Sequence, residues 1–290
     1  MSINGYLSDT MARVRTVRQI EGRKERITLL FYQILQQMPR TLRKRLKVID
    51  DLIGVISRKL PFDKKKVNVD GITYVTVDGQ SIRLIQKEWE SWMQNYIKPE
   101  KGSVFIDVGA NVGKYSLMFS KMIGNSGKII AIEPVPNTFE ALTEAVKLNR
   151  FDNIVPLNIA CWNENTKLNI FLAEMSGEST IKEDYGLGYF AVEARTLDSV
   201  VHELGLNTVD FVKIDVEGSE IEVLEGMKNI LKQHTPEIVI EIHQEHQERI
   251  LAFADRFNYR YEVIEETKNS DSGICYYYLH PMSSHQTTSG

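Results

Sequence analysis

Residues 104–116 read Val104-Phe-Ile-Asp107-Val-Gly109-Ala110-Asn111-Val-Gly113-Lys-Tyr-Ser116. The stretch begins as an apolar run typical of a buried strand and ends in a glycine-bearing turn, after which apolar residues recur at helical spacing. A strand, a glycine turn and a helix in this order let a nucleotide-like ligand approach backbone N–H groups at the start of the helix. Glycine accepts positive φ and leaves room where a Cβ would block a ligand. The stretch therefore predicts a cofactor site for an adenosine group.

An acidic residue follows at the spacing that an adenine nucleoside requires. Glu133 ends the apolar run 128–132, 20 residues beyond Gly113, and a carboxylate at that position suits both ribose hydroxyls. The next predicted strand, 154–160, ends in three residues that would face the adenine ring: Asn158, Ile159 and Ala160. The two strand ends extend the predicted site across neighbouring strands of one sheet.

A dinucleotide site is the main competing interpretation of the turn. Its fingerprint needs glycine at the positions that Asn111 and Lys114 occupy here. Asp107, at the carboxyl end of the strand, would repel a diphosphate, whereas its carboxylate can receive the ammonium of a methionyl group, directly or through water. S-adenosylmethionine carries that ammonium and a sulfonium but no phosphate. The charges therefore favour S-adenosylmethionine, and an NAD-dependent oxidoreductase is the weaker alternative.

The composition is that of a globular protein with one large domain. Of the 290 residues, 42% are hydrophobic and 26% are charged, which provides material for a core. Cys161 and Cys275 form no ligand spacing and no disulfide framework, which favours a reducing compartment. The sequence shows no apolar run long enough for a bilayer and no apolar signal-peptide segment. These features predict a cytoplasmic location.

The charge is distributed unevenly along the chain. Residues 1–66 contain 16 lysines and arginines against 6 acidic residues, and the remainder contains 19 against 33. Apolar residues recur at helical spacing in this basic segment, which predicts amphipathic helices. One interpretation is a helical cap that packs on the catalytic domain or on a partner subunit of a homo-oligomer. The other is a helix pair that holds the protein at an anionic membrane surface, peripheral to the inner membrane face.

Nucleic acid is not an expected partner, because the basic segment lacks the aromatic residues that single-strand binders interleave with positive charge. The expected partner is a small-molecule or glycan acceptor.

The remaining chain divides into three predicted parts. Residues 67–100 predict a β-hairpin element, with turns at Asp70-Gly71 and Asp78-Gly79, and a lead-in helix. Strands and helices then alternate over 101–282, including one helix that extends to Leu231, as a parallel sheet with crossover helices requires. The segment 174–188 is predicted to be a mobile loop. Residues 283–290 are predicted to be a disordered tail.

Four motifs together resemble the FkbM family of S-adenosylmethionine-dependent methyltransferases. They are Asp107-Val-Gly-Ala-Asn-Val-Gly-Lys-Tyr-Ser116, Ala131-Ile-Glu-Pro134, Thr196-Leu-Asp198 and Phe211-Val-Lys-Ile-Asp-Val-Glu-Gly-Ser-Glu220. The resemblance covers about residues 67–265 and carries nothing over to residues 1–66. It implies a Rossmann-like class I methyltransferase fold, an α/β architecture with a seven-stranded, mostly parallel sheet and an antiparallel last strand. It also implies O-methylation of a hydroxyl on a sugar, a glycolipid or a related natural product.

A cofactor-binding module without turnover is the alternative from another functional class. The complete predicted cofactor set is Asp107, Gly109, Ala110, Asn111, Gly113, Glu133, Pro134, Asn158, Ile159, Ala160 and Asp215. Asp107, Glu133, Asp215 and Glu217, the acids at the strand ends, together argue against a degenerate site.

The predicted catalytic residues also lie at strand ends. Methyl transfer needs the acceptor oxygen, the methyl carbon and the sulfur in line, and a sugar hydroxyl needs a positioned base. Asp215 and Glu217 follow the predicted strand 209–215 and are the first and second choices for that base. His243, at the end of a later strand, is a third choice, and a purely structural role for it is equally open.

No metal is predicted, because no ligand spacing in the sequence fixes a site for one. A divalent ion remains the alternative, as in methyltransferases that use a metal to bind a hydroxyl as it loses its proton. Its ligands would come from Asp215, Glu217, Glu241, His243 and His246.

Overall fold

The computed structural model describes residues 64–87, 89–173, 179–182, 186–267 and 273–282. The predicted helices of the basic N-terminal segment lie outside these ranges. So do residues 174–178 and 183–185 of the predicted mobile loop, and the predicted tail 283–290. Among the helices within the described ranges, none combines the length and the apolar character needed to cross a bilayer.

A hairpin opens the described chain. Strands β1 (Lys65–Val69) and β2 (Ile72–Thr76) pair antiparallel. Asp70 and Gly71 both have positive φ, at 51° and 75°, as a tight two-residue hairpin turn requires. The turn predicted at Asp70-Gly71 is therefore confirmed.

The second predicted hairpin turn is wrong. Asp78 begins helix α1 (Gly79–Leu84), and its Oδ1 accepts a hydrogen bond from the Ser81 backbone N–H at 2.7 Å. The Ser81 side chain in turn accepts from the Asp78 N–H, so the two residues form a reciprocal capping box. A short helix α2 (Met93–Tyr96) follows and leads into the main sheet.

The remaining elements alternate between strand and helix. The first group is β3 (Val104–Val108), α3 (Lys114–Ile123), β4 (Lys128–Ile132), α4 (Pro136–Asn149) and β5 (Ile154–Leu157). A small excursion follows with β6 (Ala160–Cys161), β7 (Thr166–Phe171) and β8 (Tyr189–Arg195). The chain then continues through α5 (Leu197–Glu203), β9 (Phe211–Ile214), α6 (Glu220–Glu225), α7 (Lys228–Gln233), β10 (Glu237–His243), α8 (Gln247–Arg256), β11 (Tyr259–Val263) and β12 (Ile274–Pro281).

The main sheet has seven strands in the order β11-β12-β10-β9-β3-β4-β5. The last strand, β12, pairs antiparallel with both β10 and β11, and the other neighbouring pairs are parallel. The order reverses direction at β3, so the carboxyl ends of β3, β4, β9 and β10 meet at one edge. This topology confirms the predicted fold class.

Two apolar cores cover the two faces of the sheet. Phe105 and Ile129 pack in one core with the hairpin and helices α3 and α4. Ile106 and Ile130 point into the other core, with helices α5 to α8. All four side chains are fully buried, which explains why the central strands have near-continuous apolar sequences.

Two element boundaries differ from the prediction. Strand β5 ends at Leu157 rather than at residue 160, because the Asn158 amide donates to the carbonyls of Glu133 and Pro134 and turns the chain toward a separate three-stranded sheet. The single predicted helix up to Leu231 is divided into α6 and α7. A Cβ on Gly226, between them, would lie 2.1 Å from the Trp162 carbonyl oxygen, so the chain there is held against its neighbour.

Candidate active site

A cleft of about 1220 Å³, including its open mouth, lies at the carboxyl ends of the central strands. Its floor is formed by residues 108–112, 132–135 and 215–217, which follow β3, β4 and β9. The lead-in region contributes one wall through Trp89 and Glu90.

The backbone N–H groups of the glycine turn are already bonded within the protein. Those of Gly109 and Ala110 donate to the Ile132 carbonyl, at 3.0 and 2.9 Å. The Asn111 N–H donates to Glu133 Oε2 at 2.9 Å, and the Val112 N–H donates to Asn111 Oδ1 at 2.7 Å. The Gly113 N–H donates to the Ala110 carbonyl at 2.9 Å. Between Gly109 and Gly113, therefore, the backbone N–H groups are already bonded within the protein and are not free to cradle a diphosphate.

Gly109 is required by close packing as well as by its backbone angle. Its φ is +75°, and a Cβ at this position would lie 1.8 Å from the Asp215 carbonyl oxygen. Gly113 has φ +85° and caps α3, and a Cβ there would meet Leu142 Cδ1 at 2.5 Å. Gly109 lines the cleft, whereas Gly113 packs behind it.

Glu133 is a buried carboxylate at the cleft floor. Oε2 accepts from the Asn111 N–H and Oε1 accepts from the Val135 N–H, both at 2.9 Å. Each carboxylate oxygen has a further acceptor site, which leaves capacity for two ribose hydroxyls. Burial raises the pKa of Glu133 to about 7, against the lowering effect of those two backbone bonds.

Asp107 does not line the cleft, so the structure does not support a direct contact between its carboxylate and a methionyl ammonium. Its side chain is fully buried, and Oδ2 accepts from the backbone N–H and the hydroxyl of Ser116, at 3.1 and 2.6 Å. Oδ1 lies 3.6 Å from Lys213 Nζ. Burial raises the pKa of Asp107, while Lys213 and Ser116 oppose that rise. Asp107 therefore stabilises the glycine turn through buried contacts with Ser116 and Lys213.

Lys213 links the turn to the predicted base. Its Nζ donates to the Gly109 carbonyl at 3.1 Å and pairs with Asp215 Oδ2 at 3.1 Å. Burial acts to lower the pKa of Lys213, but Asp215 and Asp107 more than offset it, so that pKa is raised. A buried, charged lysine thus holds the Asp215 carboxylate in place.

Asp215 lines the cleft with 24% of its side chain exposed. The Tyr276 hydroxyl lies 3.4 Å from its Oδ2 and donates to Glu90 Oε1 at 3.1 Å. The Tyr115 hydroxyl bonds to the other oxygen of Glu90. Tyr276 therefore lies between Glu90 of the lead-in region and Asp215, and Asp215 retains an accessible face.

Glu217 and Glu241 lie beside Asp215 in the same cleft. His243 does not line the cleft, and its Nε2 lies 3.7 Å from Glu241 Oε1. Ligand atoms of Glu217, Glu241 and His243 lie within 4.8 Å of one another. Because His243 is set back behind Glu241, the structure does not support it as the group that meets the acceptor directly.

The predicted adenine wall is partly present. Ile159 and Ala160 line the cleft, as do Pro134 and the unpredicted Cys161 and Ile170. Asn158 does not, because its amide is bonded to the two carbonyls after β4. The adenine ring would therefore meet mainly aliphatic side chains.

Two residues of the motifs support the fold instead of lining the cleft. Asp198 accepts from the N–H groups of Asn229 and Ile230, at 3.0 to 3.1 Å, and so caps α7. Glu220 is fully buried, and its Oε1 accepts from the Gly218 N–H at 2.8 Å. Asp198 thus stabilises the start of α7, and Glu220 holds the loop that follows β9.

Sequence reasoning missed the inner part of the network. A lysine inside the apolar run 211–214 was a signal for a buried charge, because such a residue needs partners. Glu90, Tyr115 and Tyr276 carry no comparable signal, since their proximity arises only when three distant segments pack together.

The cleft fits S-adenosylmethionine better than a dinucleotide. Its charged lining, within the described residues, consists of Glu90, Glu133, Asp215, Glu217 and Glu241 against Lys114 and Lys213. An acidic cleft attracts a ligand with a sulfonium and an ammonium and repels a diphosphate.

The comparison with known families agrees with this chemistry. The model of the Methyltransferase FkbM domain matches residues 107–261, more than half of the chain. The chain belongs to the FkbM methyltransferase family. The match includes both the glycine turn and the Asp215 region of this FkbM-family protein.

Individual relatives are more distant. A hexuronic acid methyltransferase, AglP, from Haloferax volcanii is 29% identical over 144 residues, which are 50% of this chain and 57% of AglP. The FkbM-family chain thus spans little more than half the length of that relative. Methyltransferase sdnD from Sordaria araneosa is 24% identical over 60% of this chain and 80% of its own. The crystal structure of a methyltransferase FkbM from Methylobacillus flagellatus is 14% identical, with a TM-score of 0.47 over 64% of this chain and 45% of that one.

Proposed function

We propose that this protein is an S-adenosylmethionine-dependent methyltransferase that methylates a hydroxyl of a sugar, a glycolipid or a related natural product. The observation that carries the proposal is the partly exposed Asp215, fixed by Lys213 in the same cleft as Glu133. Family membership supports the transfer chemistry. The hexuronic acid methyltransferase AglP, among its relatives, supports a sugar-derived acceptor.

The protein's own residues divide the work between binding and proton transfer. Glu133 would accept hydrogen bonds from the ribose hydroxyls, and Ile159 and Ala160 would pack against the adenine ring. When bound, S-adenosylmethionine supplies an electrophilic methyl group. Asp215 orients the acceptor hydroxyl and takes its proton. Lys213 and Tyr276 keep the Asp215 carboxylate aimed at the cleft, which supplies orientation before the acceptor arrives.

Asp215→Asn tests the base. We expect unchanged affinity for S-adenosylhomocysteine by calorimetry and a turnover slowed about 10²-fold or more, the usual size of a general-base contribution. Turnover is measured by mass spectrometry as the gain of one methyl group on a panel of sugar and glycolipid acceptors. Glu164→Gln, in an exposed turn, is the matched control. Full activity of Asp215→Asn would remove Asp215 as the base.

The same assays distinguish the alternatives. Tight binding of S-adenosylhomocysteine without transfer to any hydroxyl would favour a cofactor-binding module without turnover. Binding of NAD instead would favour an oxidoreductase, which the internally bonded glycine turn argues against.

A further inference from the structure

The structure assigns a divalent cation site to Glu217, Glu241 and His243, where an ion such as Mn²⁺ binds and orients the acceptor oxygen. This inference rests on the proposed function, because it places the ion beside the acceptor in the same cleft. No spacing in the sequence fixes such a site. It arises because β9 and β10 are neighbours and parallel, so the residues that follow their last paired positions lie side by side.

The three side chains form a ligand set of mixed chemistry. One ligand atom from each lies within 4.8 Å of the others, and His243 Nε2 is 3.7 Å from Glu241 Oε1. Two cis ligands of an octahedral ion at about 2.1 Å lie roughly 3 Å apart, so small side-chain rotations bring the set onto one ion. Two carboxylates with one imidazole suit a first-row divalent cation.

His243 Nε2 is one of the buried polar atoms that have no hydrogen-bond partner among the described residues. It is buried as an atom and makes no hydrogen bond within the described residues. An unprotonated imidazole nitrogen is a common metal ligand. A buried nitrogen lone pair beside two carboxylates is the arrangement that a cation completes.

The carboxylates around these three residues also favour a bound cation. Glu241 is 7% exposed and lies in the same cleft as Asp215 and Glu217. Lys213 is already shared between Asp215 and Asp107. Like-charged carboxylates in a low-dielectric cleft repel one another, and a divalent cation would relieve that repulsion.

The cation would assist removal of the acceptor proton. Coordination lowers the pKa of a bound hydroxyl, so the O–H bond breaks with its electron pair kept on oxygen. The proton passes to the Asp215 carboxylate and then to solvent. An acceptor with neighbouring oxygens, such as a sugar, is the class that can chelate an ion in this position.

The test is a titration of the full-length protein with Mn²⁺, followed by the electron paramagnetic resonance signal of free Mn²⁺, with and without S-adenosylhomocysteine. We expect one bound ion, displaced by Mg²⁺ or Zn²⁺, and at least a tenfold loss of affinity in Glu217→Gln and in His243→Ala. Glu164→Gln and His202→Ala change an exposed glutamate and an exposed histidine elsewhere and should bind Mn²⁺ as the wild type does.

Two results would overturn the inference. One is the absence of Mn²⁺, Mg²⁺ and Zn²⁺ binding by the wild-type protein at millimolar concentration. The other is wild-type affinity in His243→Ala. Calorimetry with S-adenosylhomocysteine, in chelator, reports on the proposed function separately and also shows that each variant is folded. Nucleoside binding without metal binding would reject only the cation site.

Discussion

At the scale of single residues, Lys213 explains how a carboxylate-rich cleft remains ordered. It is almost fully buried, yet its ammonium reaches Asp107, Asp215 and the Gly109 carbonyl. Removing one partner of a buried ion pair leaves an uncompensated charge. The same side chain therefore sets the position of the turn and the position of Asp215, the proposed base.

Gly109→Ala tests the close approach of two loops. The new methyl group would clash with the Asp215 carbonyl and would also require positive φ. We expect a loss of about 3 kcal/mol or more in unfolding free energy, from roughly 1–2 kcal/mol for the backbone angle and about 1–3 kcal/mol for overpacking. Urea denaturation measures it.

Gly205→Ala is the matched control for this substitution. Gly205 also has positive φ, at 59°, but nothing lies within 4 Å of a Cβ there. It should therefore lose only the backbone contribution, about 1–2 kcal/mol. Equal losses in the two variants would mean that the contact with Asp215 is unimportant.

The raised pKa of Glu133 predicts that cofactor binding depends on pH. Its pKa is raised to about 7, and the ionised form accepts the ribose hydroxyls. The ionised fraction falls about tenfold between pH 8 and pH 6, so the affinity for S-adenosylhomocysteine should fall by about that factor. Calorimetry at both pH values measures it. Glu133→Gln should bind weakly at both, and an equally steep pH dependence in that variant would assign the effect to another group.

The raised pKa of Glu133 affects the stability of the folded protein in the opposite direction to cofactor affinity. A carboxyl group with a raised pKa holds its proton more tightly in the folded state than in the unfolded state, so its contribution to stability is lost as pH rises from 4.5 to about 7. Glu220 carries a shift of the same sign and size. The apoprotein should therefore be more stable, and a poorer cofactor binder, at the lower end of that range.

At the scale of elements, Asn149 at the end of α4 fastens the hairpin to the domain. Its Oδ1 accepts from the Thr73 N–H at 2.9 Å and its Nδ2 donates to the Thr73 carbonyl at 2.6 Å. Asn149 thus acts as the partner of strand β2 at its open edge. The hairpin in turn precedes the lead-in region that carries Trp89 and Glu90 to the cleft.

Asn149→Ala should loosen the hairpin locally. The two hydrogen bonds are worth roughly 0.5–1.5 kcal/mol each, so we expect faster amide exchange over residues 65–76, by about tenfold, with the central strands unchanged. Hydrogen exchange read by mass spectrometry measures this. Asn163→Ala, which removes an exposed bond to Glu225, should leave the hairpin protected. Unchanged exchange in the hairpin of Asn149→Ala would show that β2 is held by its apolar contacts alone.

The elements also show which parts of the structure were predictable. The alternation of strands and helices was readable because both faces of β3 and β4 are buried, which makes those strands uniformly apolar. The Asp78 turn was misread because an aspartate followed by glycine begins a helix as readily as it turns a hairpin, and Ser81 decides the outcome. The burial of the Asp107 carboxylate was not predictable, because only the fold brings Lys213 and Ser116 into contact with it.

At the scale of the whole molecule, the charge asymmetry predicts a membrane test. Residues 1–66 carry 16 basic residues against 6 acidic ones. If they form the predicted interfacial helices, the protein should cosediment with anionic phosphatidylserine vesicles at low salt and not with neutral phosphatidylcholine vesicles. Each basic residue near the surface contributes about 1 kcal/mol.

A charge-reversed variant makes this prediction specific. Changing Arg43, Lys44, Arg45 and Lys47 to glutamate should weaken vesicle binding by a factor of roughly a hundred or more and leave S-adenosylhomocysteine binding unchanged. Absence of wild-type binding to anionic vesicles would instead favour a helical cap on the domain or on a second subunit.

The glycine turn, with each N–H from Gly109 to Gly113 bonded internally, has a consequence for inhibitors. Because these hydrogen bonds hold the loop in its conformation, ligand binding does not need to order it. Compounds that imitate a nucleotide through phosphate or sulfonate groups would find these five N–H groups already bonded and would meet a cleft with more acidic than basic side chains. Nucleosides with a basic amine where the sulfonium stands are the better starting point for selective inhibition.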